Sequence, residues 1–92
     1  MHIANIKTEK EWRKVEDLIS AAKGSTFTFK ADTNYYITNV GGFTVNLIDT
    51  DQNPIEDEGL LLVTKEQCGY KKGANDLYVK CENGSLHIEE QE

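Results

Sequence analysis

The chain has 92 residues, a formal net charge of −6 and 38% hydrophobic residues. A single domain of this length buries only about 60–65% of the surface its unfolded chain exposes, so the core is expected to be one layer pair. Residues 1–46 carry six basic and five acidic side chains, whereas residues 47–92 carry four and eleven. That balance argues against duplex DNA as a direct ligand, because phosphate binding is driven by Lys and Arg. It suits a protein partner with a basic surface.

No run approaches the ~18–20 apolar residues of a membrane span. The opening MHIANIKTEKEWRK lacks the apolar stretch of a secretory signal. Cys68 and Cys81 are too few and too poorly spaced for a disulfide framework or a zinc module, which points to a reducing, cytoplasmic setting.

In chain order, HIANI reads as a short edge strand or an unpaired lead. Thr8 and Glu11 then form a T-x-x-E capping box, which predicts a helix over residues 8–23. Trp12, Val15, Leu18, Ile19 and Ala22 share one face at 3.6 residues per turn, and Gly24 supplies the stop. After Gly24 the period changes to two. STFTFKA sets Phe27, Phe29 and Ala31 on one face.

YYITNV-GG-FTVNLI predicts a hairpin around Gly41-Gly42, with Tyr36, Thr38, Val40, Phe43, Val45 and Leu47 on its main apolar face. GLLLVT reads as another strand, apolar on both faces, and QCGYKKGAND as a loop. DLYVKCE-NG-SLHIEE predicts a second hairpin at Asn83-Gly84, with Leu77, Val79, Cys81, Leu86 and Ile88 sharing the core face. The expected fold class is α+β: one amphipathic helix on an antiparallel sheet of about five strands, in a single domain spanning residues 1–92.

The stretch DTDQNPIEDEG resembles a calcium loop only at its start. Asp49, Asp51 and Asn53 fit the first ligand positions, but Pro54 stands where a Gly is needed and Leu60 where a bidentate Glu is needed. It reads instead as a polar turn, structural or facing a partner. A Cys–His nucleophile needs both side chains within hydrogen-bond reach, and the Asn83-Gly84 register puts Cys81 and His87 on opposite faces. Cys81 is then a buried core residue and Cys68 an accessible loop thiol. No phosphate-cradling glycine motif exists. Catalytic residues, metals and cofactors are therefore not expected. Tyr70, Lys71 and Lys72 form the one basic spot in the acidic half, an aromatic beside two lysines that suits contact with single-stranded nucleic acid.

In build, the chain resembles the small phage-encoded anti-CRISPR proteins. The resemblance rests on the single helix, the two glycine turns and the acidic stretches 49–58 and 89–92. It implies a non-enzymatic, stoichiometric inhibitor in the cytoplasm of a bacterial host, binding a CRISPR–Cas effector complex and blocking target-DNA binding or cleavage. The contact residues expected on this reading are Asp49, Asp51, Glu56, Asp57, Glu58, Tyr70, Lys71 and Lys72, with guide RNA within reach of the lysines. An immunity protein that neutralises a toxin nuclease is the alternative, since an acidic face covering a basic active site is the same physics.

Overall fold

The computed structural model describes residues 1–54 and 59–91. It is α+β, with strands β1 (His2–Lys7), β2 (Arg13–Lys14), β3 (Asn34–Asn39), β4 (Val45–Thr50), β5 (Leu60–Leu62), β6 (Gln67–Lys71), β7 (Asp76–Lys80) and β8 (Ser85–Glu90), and one helix, α1 (Val15–Lys23). The strands form two antiparallel four-stranded sheets rather than one sheet of about five. Their orders are β1-β8-β3-β6 and β2-β7-β4-β5.

The two orders run in step. β1 and β2, β8 and β7, β3 and β4, and β6 and β5 each hold the same place in their sheets. Chain neighbours therefore lie across the core from one another, joined by arches. Residues 40–44 and 81–84 are long enough to cross the ~10 Å that separates packed sheets. Both expected hairpins are such arches. Tyr36 pairs with Gly69 and Glu89, and Leu47 pairs with Val79 and Leu60.

Asn39 explains why the Gly41-Gly42 turn changes sheets. It is fully buried, and its Nδ2 donates to the carbonyls of Phe43 and Leu62 at 2.7 and 2.8 Å. Its Oδ1 accepts from the Gly41 N–H at 3.0 Å. One side chain thus satisfies three backbone groups that the turn withdraws from a ladder. The buried face of β3 is consequently Tyr35, Ile37 and Asn39 rather than Tyr36 and Thr38, and Val40 and Phe43 are 56% and 57% exposed. At the second arch Asn83 adopts a left-handed φ of 62°. A Cβ on Gly84 would overlap Thr8 Oγ1 and lie 2.9 Å from Cys81 Sγ.

Thr8 does not cap a helix. Its hydroxyl donates to the Cys81 carbonyl at 2.6 Å and its N–H to the Gly84 carbonyl at 3.0 Å. Residues 13–14 then pair with β7, so the helix begins at Val15, seven residues later than expected. Glu16 and Asp17 in its first turn and Lys23 in its last suit the helix dipole. Gly24 closes it at φ 74°, donating to Ser20 O.

The STFTFKA segment is extended without being a strand, because side chains take its N–H groups. Phe27 N–H donates to Ser20 Oγ, Phe29 N–H to Glu16 Oε2 and Lys30 N–H to the Tyr35 hydroxyl, each at 2.8 Å. Phe29 meets Tyr35 and Tyr70 edge-on, with ring centroids 4.8 and 4.9 Å apart. These rings join Val15, Ile19, Ile37, Val45, Leu47, Leu77, Val79, Leu86 and Ile88 in one core cluster. Fully burying each aliphatic side chain contributes roughly 1.5–3 kcal/mol before the entropy of ordering is charged against it.

Candidate protein-contact edge and the inter-sheet cleft

Strand direction divides the molecule into two ends. At the arch end lie residues 8–12, 40–44, 63–66 and 81–84, hydrogen-bonded from arch to arch. Val40 N–H donates to Ser85 O, Lys65 N–H to Asn39 O and Cys81 N–H to Glu9 O. At the opposite, open end the strands β4, β6 and β8 finish, and Asp49, Lys71, Glu89 and Glu90 lie at or next to their last residues.

The expected contact residues divide accordingly. Asp49 is the last inward position of β4 in the alternation Val45, Leu47, Asp49, and it is exposed only because the strand ends there. Asp51 is exposed in the turn that follows. Glu56, Asp57 and Glu58 lie outside the described residues. Tyr70 is not a surface aromatic. The stretch expected as a loop is strand β6, pairing with β3 from Tyr35 opposite Tyr70 to Thr38 opposite Gln67, and it turns Tyr70 into the core at 9% exposure. Lys71, its neighbour, faces outward.

Lys72 is not a free cation for RNA. It donates to Asp76 Oδ1 at 2.8 Å and lies 3.9 Å from Glu16 Oε1, while Lys14 lies 3.4 Å from Asp76 Oδ2. The hydrogen bond from Lys72 holds the Asp76 carboxyl below its ordinary value despite partial burial, and that of Lys14 is raised by its bond to Asp76. Lys30 meets Glu90 at 3.6 Å. The lysines at this end are thus largely neutralised, whereas Asp49, Asp51 and Glu89 make no ion pair among the described residues. The open end is left negative.

The second feature is the free edge at β5. This strand closes its sheet, pairing on one side only, from Val45 opposite Leu62 to Leu47 opposite Leu60. Leu60, Leu61 and Val63 are 52%, 61% and 46% exposed, and Phe43 and Val40 are exposed on the 40–44 arch. Residues 60–63, read from the sequence as apolar on both faces, turn Leu62 inward and leave Leu60, Leu61 and Val63 exposed. Phe43 and Val40 were missed, because the hairpin register had assigned them to the core.

The third feature is a cleft of about 330 Å³ where the sheets part between β5 and β6, lined by Ile37, Leu47, Leu60, Leu77, Asp49 and Tyr70 among others. Cys68 also lines it; the residue is half-buried in a strand, and burial pushes its thiol up. Cys81 is likewise half-buried, packed against the core at the arch end. His87 belongs to a different neighbourhood, stacked on His2 with centroids 4.8 Å apart and bonded to Asn5 Oδ1 at 2.8 Å.

Among the described residues, no group of three or more His, Cys, Asp or Glu is placed to hold a metal, and no helix is long and apolar enough to cross a membrane. Compared with protein-family models, curated proteins and solved structures, the chain matches none. The fold and surface define a small α+β module of two arched sheets with one apolar strand edge and one acidic end.

Proposed function

We propose that this protein is a stoichiometric binding module that inhibits a nucleic-acid-handling complex, in the manner of an anti-CRISPR protein on a CRISPR–Cas effector. The observation that carries the reading is the free β5 edge with Phe43, Leu61 and Val63 exposed beside it. Exposed apolar side chains at a strand edge favour a partner that adds a strand or covers the edge. Phe43 is the natural anchor, since interface energy concentrates in aromatic and large apolar side chains. Asp49 and Asp51, beyond the other end of β5, supply the negative charge that selects a basic partner and speeds its approach. Lys72 and Tyr70 drop out of the contact set, and Lys71 alone remains as a residue within reach of guide RNA.

The test is inhibition of target-DNA cleavage by a panel of effector complexes, titrated with wild-type protein and variants. Inhibition is expected to saturate near one inhibitor per effector. Phe43→Glu and Leu61→Glu should abolish it by lowering affinity at least 100-fold. Asp49→Lys with Asp51→Lys should slow association several-fold, an effect that fades at high salt as the Debye length falls to ~3 Å at 1 M. Sub-stoichiometric inhibition with consumption of the target would overturn the non-enzymatic reading. Full potency in both edge variants would overturn the contact surface. Protection against a toxin nuclease with no effect on any effector would favour the immunity-protein alternative.

A further inference from the structure

Tyr70 is 91% buried by its 9% exposure, yet its hydroxyl has no hydrogen-bond partner among the described residues. A buried hydroxyl left unpaired is costly and rare, so something external to the described residues is called for. The side chain projects from β6 toward the opposite sheet, and the cleft there is lined by Asp49 and Leu77, which face each other in the β4–β7 register. Asp49 is also the carboxylate that acts most strongly on the hydroxyl, after burial itself, with Glu16 and Asp76 behind it; all of these hold the phenol protonated. Lys71 also lines the cleft, from the exposed end of β6, but the charges that act on the hydroxyl are all carboxylates.

The walls are Ile37, Leu47, Leu60 and Leu77, and the volume, about 330 Å³, is at the small end of ligand sites, which run from ~300 to 1,000 Å³. The cleft thus offers an apolar body, one buried hydroxyl and, among its exposed lining residues, the carboxylate of Asp49 and the ammonium of Lys71. We infer that it binds a small amphiphilic primary amine, with the ammonium donating to Asp49 and to Tyr70 Oη and the hydrocarbon lying among the leucines. An isosteric carboxylic acid meets the wrong sign at Asp49. This inference does not depend on the proposed inhibitor function.

Phenethylamine and 3-phenylpropionate, equal in shape and opposite in charge, are the probes. Both are titrated into the full chain and followed by backbone amide shifts. Phenethylamine is expected to move Leu60, Tyr70 and Leu77 at millimolar concentration or below, and 3-phenylpropionate to bind at least ten-fold more weakly. Tyr70→Phe should weaken the amine about ten-fold, the discount for one hydrogen bond to a charged group. Asp49→Asn, at an exposed strand end where folding is not at risk, should weaken it by a similar factor. Equal binding of the two probes, or no shifts at 10 mM, would overturn the inference. So would unchanged amine affinity in Tyr70→Phe or Asp49→Asn, which would assign the hydroxyl to an ordered water alone.

Discussion

The arch end and the open end are built from the same eight strands, yet they are held by different physics. At the arch end the chain changes sheets through tight connections, tied mainly by backbone and neutral side-chain hydrogen bonds. Asn39 alone satisfies three backbone groups. At the open end the chain also changes sheets, from β6 to β7, and lysine–carboxylate pairs are added there: Lys72 with Asp76 and Glu16, Lys14 with Asp76, Lys30 with Glu90. Buried neutral bonds are costly to leave half-made, whereas partly exposed ion pairs contribute ~0–1 kcal/mol and are screened by salt. The comparison teaches where the molecule tolerates change. The fold is specified at the arches, and the open end is left free to carry charge and a cleft.

The sharpest way to break this contrast is Asn39→Ala. It strands two carbonyls and one N–H in the interior, and we expect a loss of about 3 kcal/mol or more. For a domain of this size that lowers Tm by roughly 15 °C, measurable by thermal unfolding. A loss under 1 kcal/mol would show that water replaces the amide and that the arch is not specified there.

Gly84→Ala is next. Its new methyl meets Thr8 Oγ1 and Cys81 Sγ, the contacts that tie the first and last arches together. Overpacking of this kind costs about 1–3 kcal/mol, read as a shift in the denaturant midpoint. Unaltered stability would mean that Thr8 rotates away freely.

By contrast, Lys72→Met at the open end should cost less than about 1 kcal/mol, and the cost should shrink in 1 M salt. A loss matching that of Asn39→Ala would erase the distinction between the ends.

Acidity probes the same pairs. Because Lys72 lowers the Asp76 carboxyl from its ordinary 3.8, Asp76 stabilises the folded state at pH values above that ordinary value. The contribution is lost as pH falls through the depressed folded value. Stability should therefore decline below about pH 4, and Asp76→Asn should flatten part of that slope. An identical pH profile in the variant would mean the pair carries no linkage.

The smallest effect concerns the thiols. Burial raises the Cys68 thiol, so at pH 8 a thiol reagent should label Cys81, at the arch end, ahead of Cys68 in the cleft wall. Faster labelling of Cys68 would show the cleft to be wide open.

How much of this was legible in the sequence follows from what alternation can encode. Leu77, Val79, Leu86 and Ile88 read as core, and they are. Alternation places a side chain inside or outside but does not say whether the next strand lies beside its predecessor or across from it. Asn83-Gly84 announced a turn, and Asn83 does take the left-handed conformation, yet the turn serves an arch. The β3 face was inverted because Asn39, a polar residue, is the buried one, and its three bonds are tertiary. The helix was over-extended because Thr8 and Glu11 form a sound local capping pattern that pairing with β7 and β8 overrides. At the site, Asp49 and Tyr70 were both singled out, but for the surface. Their meeting inside one cleft depends on β6 being a strand, which Gly69 and the flanking charges concealed.

The arched topology also bears on how quickly the chain reaches its native state. With β4 and β5 the exception, no strand pairs with the strand next to it in the chain, and β1 waits for β8, Ala4 opposite Ile88. Few local segments can therefore zip up alone, and both sheets must assemble around a nucleus drawn from distant parts of the sequence. Loop-closure entropy has to be met before those contacts repay it, which places the protein among millisecond-to-second folders rather than microsecond ones.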